Sequence, residues 1–499
     1  MKFINFIFAI MLVVFSVVYM QLGLDSFNNN LFDACFICAV IAVAAFFIAS
    51  QKKGGKGYWL KPSYLFVGGY MAVNFQYLLD LRLGLKTLSS GRFLYSNILN
   101  HCAVLSVLGI LAFVIGYGMR PLRKREEDAY IITQSGKNDF PFPQLIVFLQ
   151  IVVFLLFLLT SDLASMISGA GYGVDDVSAF ENLLYVINAI VVLFVVWSQS
   201  SHTSFVSYIK RFPVVSLAIF LLYCIMRLLS GDRGPFIYSI LLFFFGYLYY
   251  SRKRLNLIVV LVLLIGSMLL ASVVGIARGY NTQLSFGKKM SDAYDQFSSE
   301  GRFGNDDETI FDYTDELGFS FYVNQVDVYA VEVKGESLHY LSYPVYALLS
   351  GIPFAPALIQ KSFGVSPEDF SSAGFANKQF FGGYDRSWGI GTTILGFFYL
   401  SFGFIGVILG LLFTGLLLRY LDSVILIKNK RTIGIYELLF VLLFAAKAIY
   451  MPRATVFLEI PRFIWGVILL VCIMPFIKPK LRKNVGQSPY AESNKNYLN

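Results

Sequence analysis

Charged residues are scarce in this chain. Only 14% of its 499 residues are Asp, Glu, Lys or Arg, while 57% are apolar, a composition unsuited to a water-soluble domain of this size. The sequence therefore predicts an all-α polytopic membrane protein. The net charge is +9, and most basic residues lie in short tracts between apolar runs. This distribution indicates the membrane topology of the chain and not a nucleic-acid-binding surface, so we expect no nucleic-acid partner.

Several catalytic signatures are also missing. The sequence has no Walker loop, nucleophile elbow or zinc-protease helix, which disfavours ATP-driven transport and these hydrolytic mechanisms. Its acidic run from 306 to 316 lacks the glycine and the spacing of a calcium loop. The five cysteines give no disulfide or metal framework because all lie inside or at the edge of apolar runs. They are Cys35, Cys38, Cys102, Cys224 and Cys472. We expect no metal and no cofactor.

Apolar runs long enough for membrane helices recur along nearly the whole chain. Helices of about 20 residues can be placed on twelve of them. The predicted spans are 4–24, 31–50, 63–79, 98–118, 144–160, 183–198, 212–229, 235–250, 256–277, 392–418, 432–450 and 463–477.

Basic tracts mark alternate connections between these spans. They fall at 52–56, 120–125, 210–211, 252–254, 428–431 and 478–483. The positive-inside rule places these connections and both termini in the cytoplasm. The domains are then a bundle of helices 1–9 (1–277), a large extracytoplasmic loop (278–391), helices 10–12 (392–477) and a cytoplasmic tail (478–499).

The large loop contains an apolar stretch, 338–359, that we place on the outer membrane surface. A further span here would reverse the downstream topology and put the basic tract at 428–431 outside. Residues 278–388 include 15 acidic and 8 basic side chains, a net charge of −7, which leaves +16 for the rest of the chain. The loop is acidic and the bundle is basic.

Cations gather at the outer ends of the spans, where the positive-inside rule disfavours them and where burial of a charge is costly. Guanidinium groups offer planar, bidentate donors to pyrophosphate, so we predict a pyrophosphate site here. The alternative is that each arginine reaches the interface or pairs with a neighbour such as Asp232 or Glu459. The predicted pyrophosphate-binding residues are Arg227, Arg233, Arg278, Arg453 and Arg462, with Lys447 nearby.

Activation of a hydroxyl group as a nucleophile requires a positioned general base. The external carboxylates and imidazoles are candidates for this role. We single out Asp232, in the glycine-flanked turn before Arg233, His339 in the large loop and His101 near the outer end of the fourth span. An isolated histidine at a helix end is more often an interfacial polar residue.

The segment 227–236, RLLSGDRGPF, resembles the corresponding hairpin of Wzy-type O-antigen polysaccharide polymerases, the oligosaccharide repeat unit polymerase family. The resemblance extends to Arg278 before the large loop and to Gly389-Ile390-Gly391-Thr392-Thr393 leading into the segment 398–406. Topology and chain length agree with it over nearly the whole chain.

This resemblance implies a metal-independent membrane glycosyltransferase in the bacterial inner membrane. Such an enzyme transfers a growing glycan from undecaprenyl pyrophosphate to the terminal sugar of another lipid-linked repeat unit, on the outer face, in the biosynthesis of O-antigen or a related surface polysaccharide. The implied partners are the lipid-linked donor and acceptor, membrane lipid and a chain-length regulator protein. Arg227, Arg233 and Arg278 would hold the leaving pyrophosphate.

Two alternative functions also fit the sequence. A lipid-linked oligosaccharide flippase or transporter would place its charges along a cavity reachable from both sides, whereas these charges lie at the outer ends. An O-antigen ligase would share the donor chemistry but transfer glycan to a lipid A core.

Arg233 is the residue that we would test first. Arg233→Ala should abolish polymer at normal membrane abundance, because the leaving pyrophosphate loses a cation. The surface glycan length on gels and the amount of protein in the membrane check this. Full-length polymer in this variant would exclude the pyrophosphate role.

Overall fold

The computed structural model describes most of the predicted bundle and part of the large loop. The described residues are 2–51, 59–88, 93–119, 143–161, 179–197, 204–230, 233–251, 320–352, 370–382, 390–426 and 434–476, with 266, 288, 292, 355, 358, 361 and 362. These residues contain fifteen α-helices and no β-strand. The chain is an all-α polytopic membrane protein, as predicted.

The helices follow the apolar runs closely, and eleven of the twelve predicted spans coincide with one of them. The remaining span, 256–277, lies outside the described residues except for residue 266. The helices are α1 (Lys2–Gln21), α2 (Asn29–Ser50), α3 (Pro62–Arg82), α4 (Leu99–Met119), α5 (Gln144–Thr160), α6 (Ala179–Trp197), α7 (Phe205–Ile209), α8 (Val214–Leu229), α9 (Arg233–Ser251), α10 (Phe321–Glu332), α11 (Ser342–Leu349), α12 (Ser372–Phe381), α13 (Ile394–Leu426), α14 (Ile435–Ala446) and α15 (Ile460–Ile473).

Five segments are long and apolar enough to cross a membrane, judged over the described residues only. They are Asn29–Ser50, Ser96–Met119, Phe180–Trp197, Ile394–Ile425 and Val456–Phe476. Five shorter apolar helices accompany them, at Asn5–Gln21, Gln144–Thr160, Val214–Leu229, Gly234–Tyr249 and Ile435–Ala446. Among the described residues of the apolar stretch of the large loop, the continuous helix is the eight-residue α11. It is about 12 Å long, which is too short to span a bilayer.

Helix α4 is the centre of one half of the bundle. Every residue from Leu99 to Tyr117 is buried, and α1, α2, α3 and α13 pack around it. Glycines bring α13 unusually close: a Cβ on Gly116 would lie 2.1 Å from the carbonyl oxygen of Leu412, and one on Gly415 would lie 2.2 Å from that of Phe113. In the other half, α5, α9, α14 and α15 pack around α6, and α8 packs against α5 and α9.

Helix α13 is broken near its start. Phe402 (φ −143°, ψ 26°) and Gly403 (φ 64°, ψ −154°) leave the helical region, and the positive φ of Gly403 favours glycine. The short first part, 394–401, folds back along the second, since a Cβ on Gly406 would lie 2.2 Å from the carbonyl oxygen of Phe398. The break frees the carbonyl of Leu400, which accepts a hydrogen bond of 2.8 Å from the backbone N–H of His339.

Helix α10 anchors the described part of the large loop to the bundle. The Asn324 amide donates to Asn74 Oδ1 in α3 at 2.8 Å, and the Thr393 hydroxyl donates to Asn324 Oδ1 at 2.5 Å. The ring of Tyr329 stacks on Tyr95, before α4, with centroids 3.8 Å apart. We call the face that carries α10, α11 and α12 the outer face, after the predicted location of the loop, and the opposite face the inner face.

Candidate functional site

Five charged side chains meet at the outer ends of α6, α8, α14 and α15. We call this group the cation cluster, and it consists of Arg227, Lys447, Arg462, Glu181 and Glu459. Arg227 lies in the last turn of α8, Lys447 directly follows α14, and Glu459 and Arg462 lie at the start of α15. Among the described residues, three cations thus face two carboxylates, which leaves one positive charge in excess.

The first ion pair of the cluster joins Arg227 to Glu181. An Nη atom of Arg227 pairs with Glu181 Oε2, and the Tyr223 hydroxyl donates to Glu181 Oε1 at 3.2 Å. The guanidinium carbon lies 5.3 Å from the centre of the Phe157 ring, in cation–π range. Since only 1% of Arg227 is exposed, this is a buried, hydrogen-bonded pair.

The second group joins Arg462 and Lys447 through Glu459. Arg462 pairs with Glu459 Oε1, and its Nε and Nη2 donate to Asn182 Oδ1 at 3.1 and 2.8 Å. Lys447 Nζ lies 3.6 Å from the same Glu459 oxygen and 3.2 Å from the centre of the Tyr238 ring. The second Glu459 oxygen is buried and has no hydrogen-bond partner among the described residues.

Two neighbouring residues in the first turn of α6 bring the arginines together. Glu181 holds Arg227, and Asn182 holds Arg462, 280 residues further along the chain. Tyr185, one turn later, lies 5.4 Å below the Arg462 guanidinium and packs edge-on against Tyr238. The structure therefore gathers Arg227, Arg462 and Lys447 at one place, but it places a carboxylate within ion-pair distance of each of them. Arg462 pairs with Glu459, the alternative considered for it, while the Glu181 partner was not anticipated.

The other predicted cations contribute less to the described site. Arg453 closes the 3₁₀ turn Met451–Arg453, which packs against α3. Arg278 and Asp232 lie outside the described residues, as does the side chain of Arg233, whose backbone begins α9. Their roles remain predictions.

The two predicted histidines lie in different surroundings. His339 is partly buried, stacks on Tyr343 with centroids 4.4 Å apart and meets the edge of Phe375 at 5.0 Å. Burial lowers the pKa of its ring, partly offset by Glu336, which favours the neutral form of the imidazole. Tyr340 has φ 45°, uncommon for a residue with a side chain, and this bend leads the chain from His339 towards α11.

His101 is held in the core of the outer half. It is 3% exposed and meets Tyr19 edge-on with ring centroids 5.4 Å apart. Its Nδ1 atom has no hydrogen-bond partner among the described residues. Because a general base must reach the hydroxyl that it deprotonates, the closed setting of His101 suits packing better than catalysis.

Sequence reasoning missed an exposed carboxylate beside His101. Glu332, the last residue of α10, accepts hydrogen bonds at one oxygen from the hydroxyls of Tyr19 (2.7 Å) and Tyr399 (2.5 Å), which are themselves 3.0 Å apart. We call Glu332, Tyr19 and Tyr399 the glutamate clamp. Its members lie 313 and 67 residues apart, so no local pattern could have revealed it.

A second missed acid is Asp327, in the middle of α10. It is fully buried, and neither carboxylate oxygen has a hydrogen-bond partner among the described residues. Burial raises its pKa well above the ordinary value, which favours the protonated acid. A Cβ on Gly396 would lie 2.1 Å from its Oδ2, so glycine at this position of α13 leaves room for the carboxyl group as it is placed here.

No group of three or more His, Cys, Asp or Glu side chains among the described residues is arranged to hold a metal ion. The charges of the outer face are instead organised by ion pairs, tyrosine hydroxyls and an asparagine.

Because the pair of Arg227 and Glu181 is buried, we expect loss of its carboxylate to destabilise the protein more than loss of an exposed one. Glu181→Gln should lower the free energy of unfolding by about 3 kcal/mol, because it leaves Arg227 buried without its counter-charge. The matched control is Asp33→Asn, which removes the carboxylate from an exposed bidentate pair with Arg82 and should cost much less. Thermal unfolding of the purified proteins in detergent measures the loss of stability in each variant. Equal losses in the two variants would contradict a buried ion pair between Arg227 and Glu181.

Comparison with known proteins identifies the family. A family model described as O-antigen polysaccharide polymerase Wzy matches residues 1–484, essentially the whole chain. No curated protein and no solved structure gives a significant match. The chain belongs to the O-antigen polysaccharide polymerase Wzy family.

Proposed function

We propose that this O-antigen polymerase joins lipid-linked repeat units by glycosyl transfer on the outer face of the bacterial inner membrane. The donor is a glycan on undecaprenyl pyrophosphate, and the acceptor is the terminal sugar of another lipid-linked unit. The family supports the general role of an O-antigen polymerase. The cation cluster is the observation that supports transfer from a pyrophosphate-linked donor. Both termini are cytoplasmic in this proposal, in keeping with the basic tracts.

The cation cluster suits a pyrophosphate leaving group. Arg227, Lys447 and Arg462 come from three parts of the chain and are fixed by partners before any substrate arrives. A preformed positive site stabilises charge that develops as the bond from anomeric carbon to pyrophosphate oxygen breaks. In the described part of the chain, Glu181 and Glu459 offset two of the three positive charges, and the remaining positive charge favours an anionic ligand. No metal or cofactor is required.

Arg233 and Arg278 would add to this site by the family resemblance. Arg233 begins α9, the helix whose Tyr238 lies under Lys447, so its position in the chain brings it to the same end of the bundle. Each additional cation would further stabilise the departing pyrophosphate.

The glutamate clamp suits the acceptor side of the reaction. In this proposal the acceptor hydroxyl attacks the anomeric carbon, its proton passes to the Glu332 carboxylate, and the pyrophosphate oxygen departs with the bonding electron pair. Two tyrosine hydroxyls hold one oxygen of Glu332, while the side chain remains exposed. His339 is the alternative base, because burial favours the neutral form of its ring and it lies in the same loop. Asp232, predicted from the sequence, is a further candidate for the general base.

The remaining partners follow from the family and the setting. Membrane lipid surrounds the apolar helices, and a chain-length regulator protein would act with the polymerase to set the length of the glycan. The acidic large loop would bind saccharide through its polar and aromatic side chains.

Deletion followed by analysis of surface glycan length tests the proposed reaction. A polymerase predicts a single repeat unit on the lipid core. Polymer stranded on its lipid carrier with a bare core would instead indicate a ligase, and repeat units trapped on the cytoplasmic leaflet would indicate a flippase.

Complementation of this deletion tests the cation cluster. Arg462→Leu should lower the rate of polymerisation about 100-fold, as expected for loss of a transition-state donor, and Arg462→Lys should retain part of it. The control is Arg82→Gln, which removes an arginine from the exposed pair on the same face and should leave glycan length unchanged. The readout is glycan length at matched membrane abundance. Normal polymer in Arg462→Leu would contradict the donor site.

Glu332→Gln tests the glutamate clamp with little change of shape. The amide oxygen can still accept from both tyrosines, but the group no longer takes up a proton, so we expect a loss of about 100-fold in rate. Tyr399→Phe should give a smaller loss. Glu336→Gln is the control, since this exposed acid lies four residues away on the same loop and contacts Gln379. Equal activity of Glu332→Gln and wild type would move the base to His339 or Asp232.

A further inference from the structure

A second group of buried polar residues lies at the inner face, on helices other than those that carry the cation cluster. It occupies the inner ends of α2, α3, α4 and α13, and none of the described outer-face contacts involves it. We call it the inner-face cluster, and it consists of Ser50, Lys61, Ser63, Tyr117, Arg419 and Asp422.

Lys61, directly before α3, has a protein acceptor for each N–H of its ammonium group. Its ammonium group donates to Ser50 Oγ at 2.9 Å, to the carbonyl of Ser50 at 3.3 Å and to the Tyr64 hydroxyl at 3.2 Å. An ammonium group has three N–H donors, so Lys61 can offer a further ligand its charge but no unused donor.

Asp422 is likewise satisfied without an arginine. The hydroxyls of Ser63 and Tyr117 donate to Oδ2 at 2.5 and 2.7 Å, and the backbone N–H of Ser63 donates to Oδ1 at 3.3 Å. Arg419 lies one turn earlier on the same helix, yet no ion pair joins it to Asp422 among the described residues. The carboxylate of this cluster is therefore committed to α3 and α4.

Arg419 is the unmatched member of the cluster. It is 3% exposed, and its guanidinium carbon lies 4.7 Å from the centre of the Tyr117 ring. Its Nε and Nη2 atoms are buried and have no hydrogen-bond partner in the described part of the chain. Buried guanidinium donors without an acceptor are costly, so an acceptor is expected at this edge.

The unused atoms form the edge of a guanidinium group that binds oxyanions. Arg82 shows this within the same chain, since its Nε and Nη2 donate to the two oxygens of Asp33 at 2.8 Å each. The same two atoms of Arg419 offer a parallel pair of donors to a carboxylate or phosphate. The ring of Tyr117 lies in cation–π range of the guanidinium, which helps to hold this side chain in place.

Charge and position favour a phosphate group over a carboxylate. The cluster holds two cations and one carboxylate, and its helices lead by sequence into the basic tracts at 52–56, 120–125 and 428–431. The inner ends of membrane helices lie at the level of anionic lipid headgroups. We propose that Arg419, with the charge of Lys61 beside it, binds a phosphate-type oxyanion at the inner face. This site is independent of glycosyl transfer.

Binding to the purified full-length protein, freed of lipid in a non-ionic detergent, tests the proposal. Two probes separate the sources of phosphate: inorganic phosphate, measured by calorimetric titration against chloride at equal ionic strength, and short-chain phosphatidylglycerol, measured by native mass spectrometry against short-chain diacylglycerol. Saturable binding of either probe at one site supports the proposal, and the probe that binds identifies the source. Binding of neither overturns it.

Two variants tie the binding to Arg419. Arg419→Met retains much of the side-chain length without the charge, and Arg419→Lys retains the charge without the two parallel donors. Each should bind the active probe at least tenfold more weakly, while Arg82→Met on the outer face should bind it as wild type does. Unchanged affinity in both Arg419 variants would overturn the assignment. Should Arg419→Met fail to accumulate, Arg419→Lys alone decides it.

Discussion

Burial of a charged side chain in an apolar medium is costly. The arrangement of the outer face depends on two neighbouring residues of α6 that offset this cost through an ion pair or hydrogen bonds to arginines. Glu181 and Asn182 bind arginines that arrive from α8 and α15. Without them, two guanidinium groups would be buried at the end of the bundle with fewer acceptors. With them, the ends of α6, α8 and α15 are held together, and the positive charge of the site is in place before a ligand binds.

The break in α13 sets the relation between the two parts of the outer face. Its short first part presents Tyr399 to Glu332 on one side, while Phe397 and Phe398 pack against Phe457 on another. Phe457 lies two residues before Glu459. A continuous helix at 402–403 would not fold back in this way, so the positive φ of Gly403 positions the segment between the glutamate clamp and the cation cluster.

Sequence reasoning located the helices well because apolar length is a local property that the bilayer dictates. The ends of α5 were predicted to the residue, and the cations at the outer ends were found because they conflict with the positive-inside rule. Their partners were not found. Glu181 is an ordinary acid at a helix start, and Glu332 meets Tyr19 across 313 residues; pairings of this kind depend on tertiary packing and leave no periodic signal.

The two faces of the bundle use buried cations in different ways. At the outer face, each of the three cations of the cluster has a carboxylate within ion-pair distance, and two carboxylates are shared among three cations. At the inner face, Asp422 is occupied by a serine and a tyrosine, and Arg419 keeps an unused edge. A catalytic site gains most from charges that are fixed and already paired, since a ligand that develops negative charge can then share them without reorganisation. A static binding site requires only donors that no protein group has taken. This difference in coordination, more than the number of cations, is why we propose catalysis at the outer face and anion binding alone at the inner one.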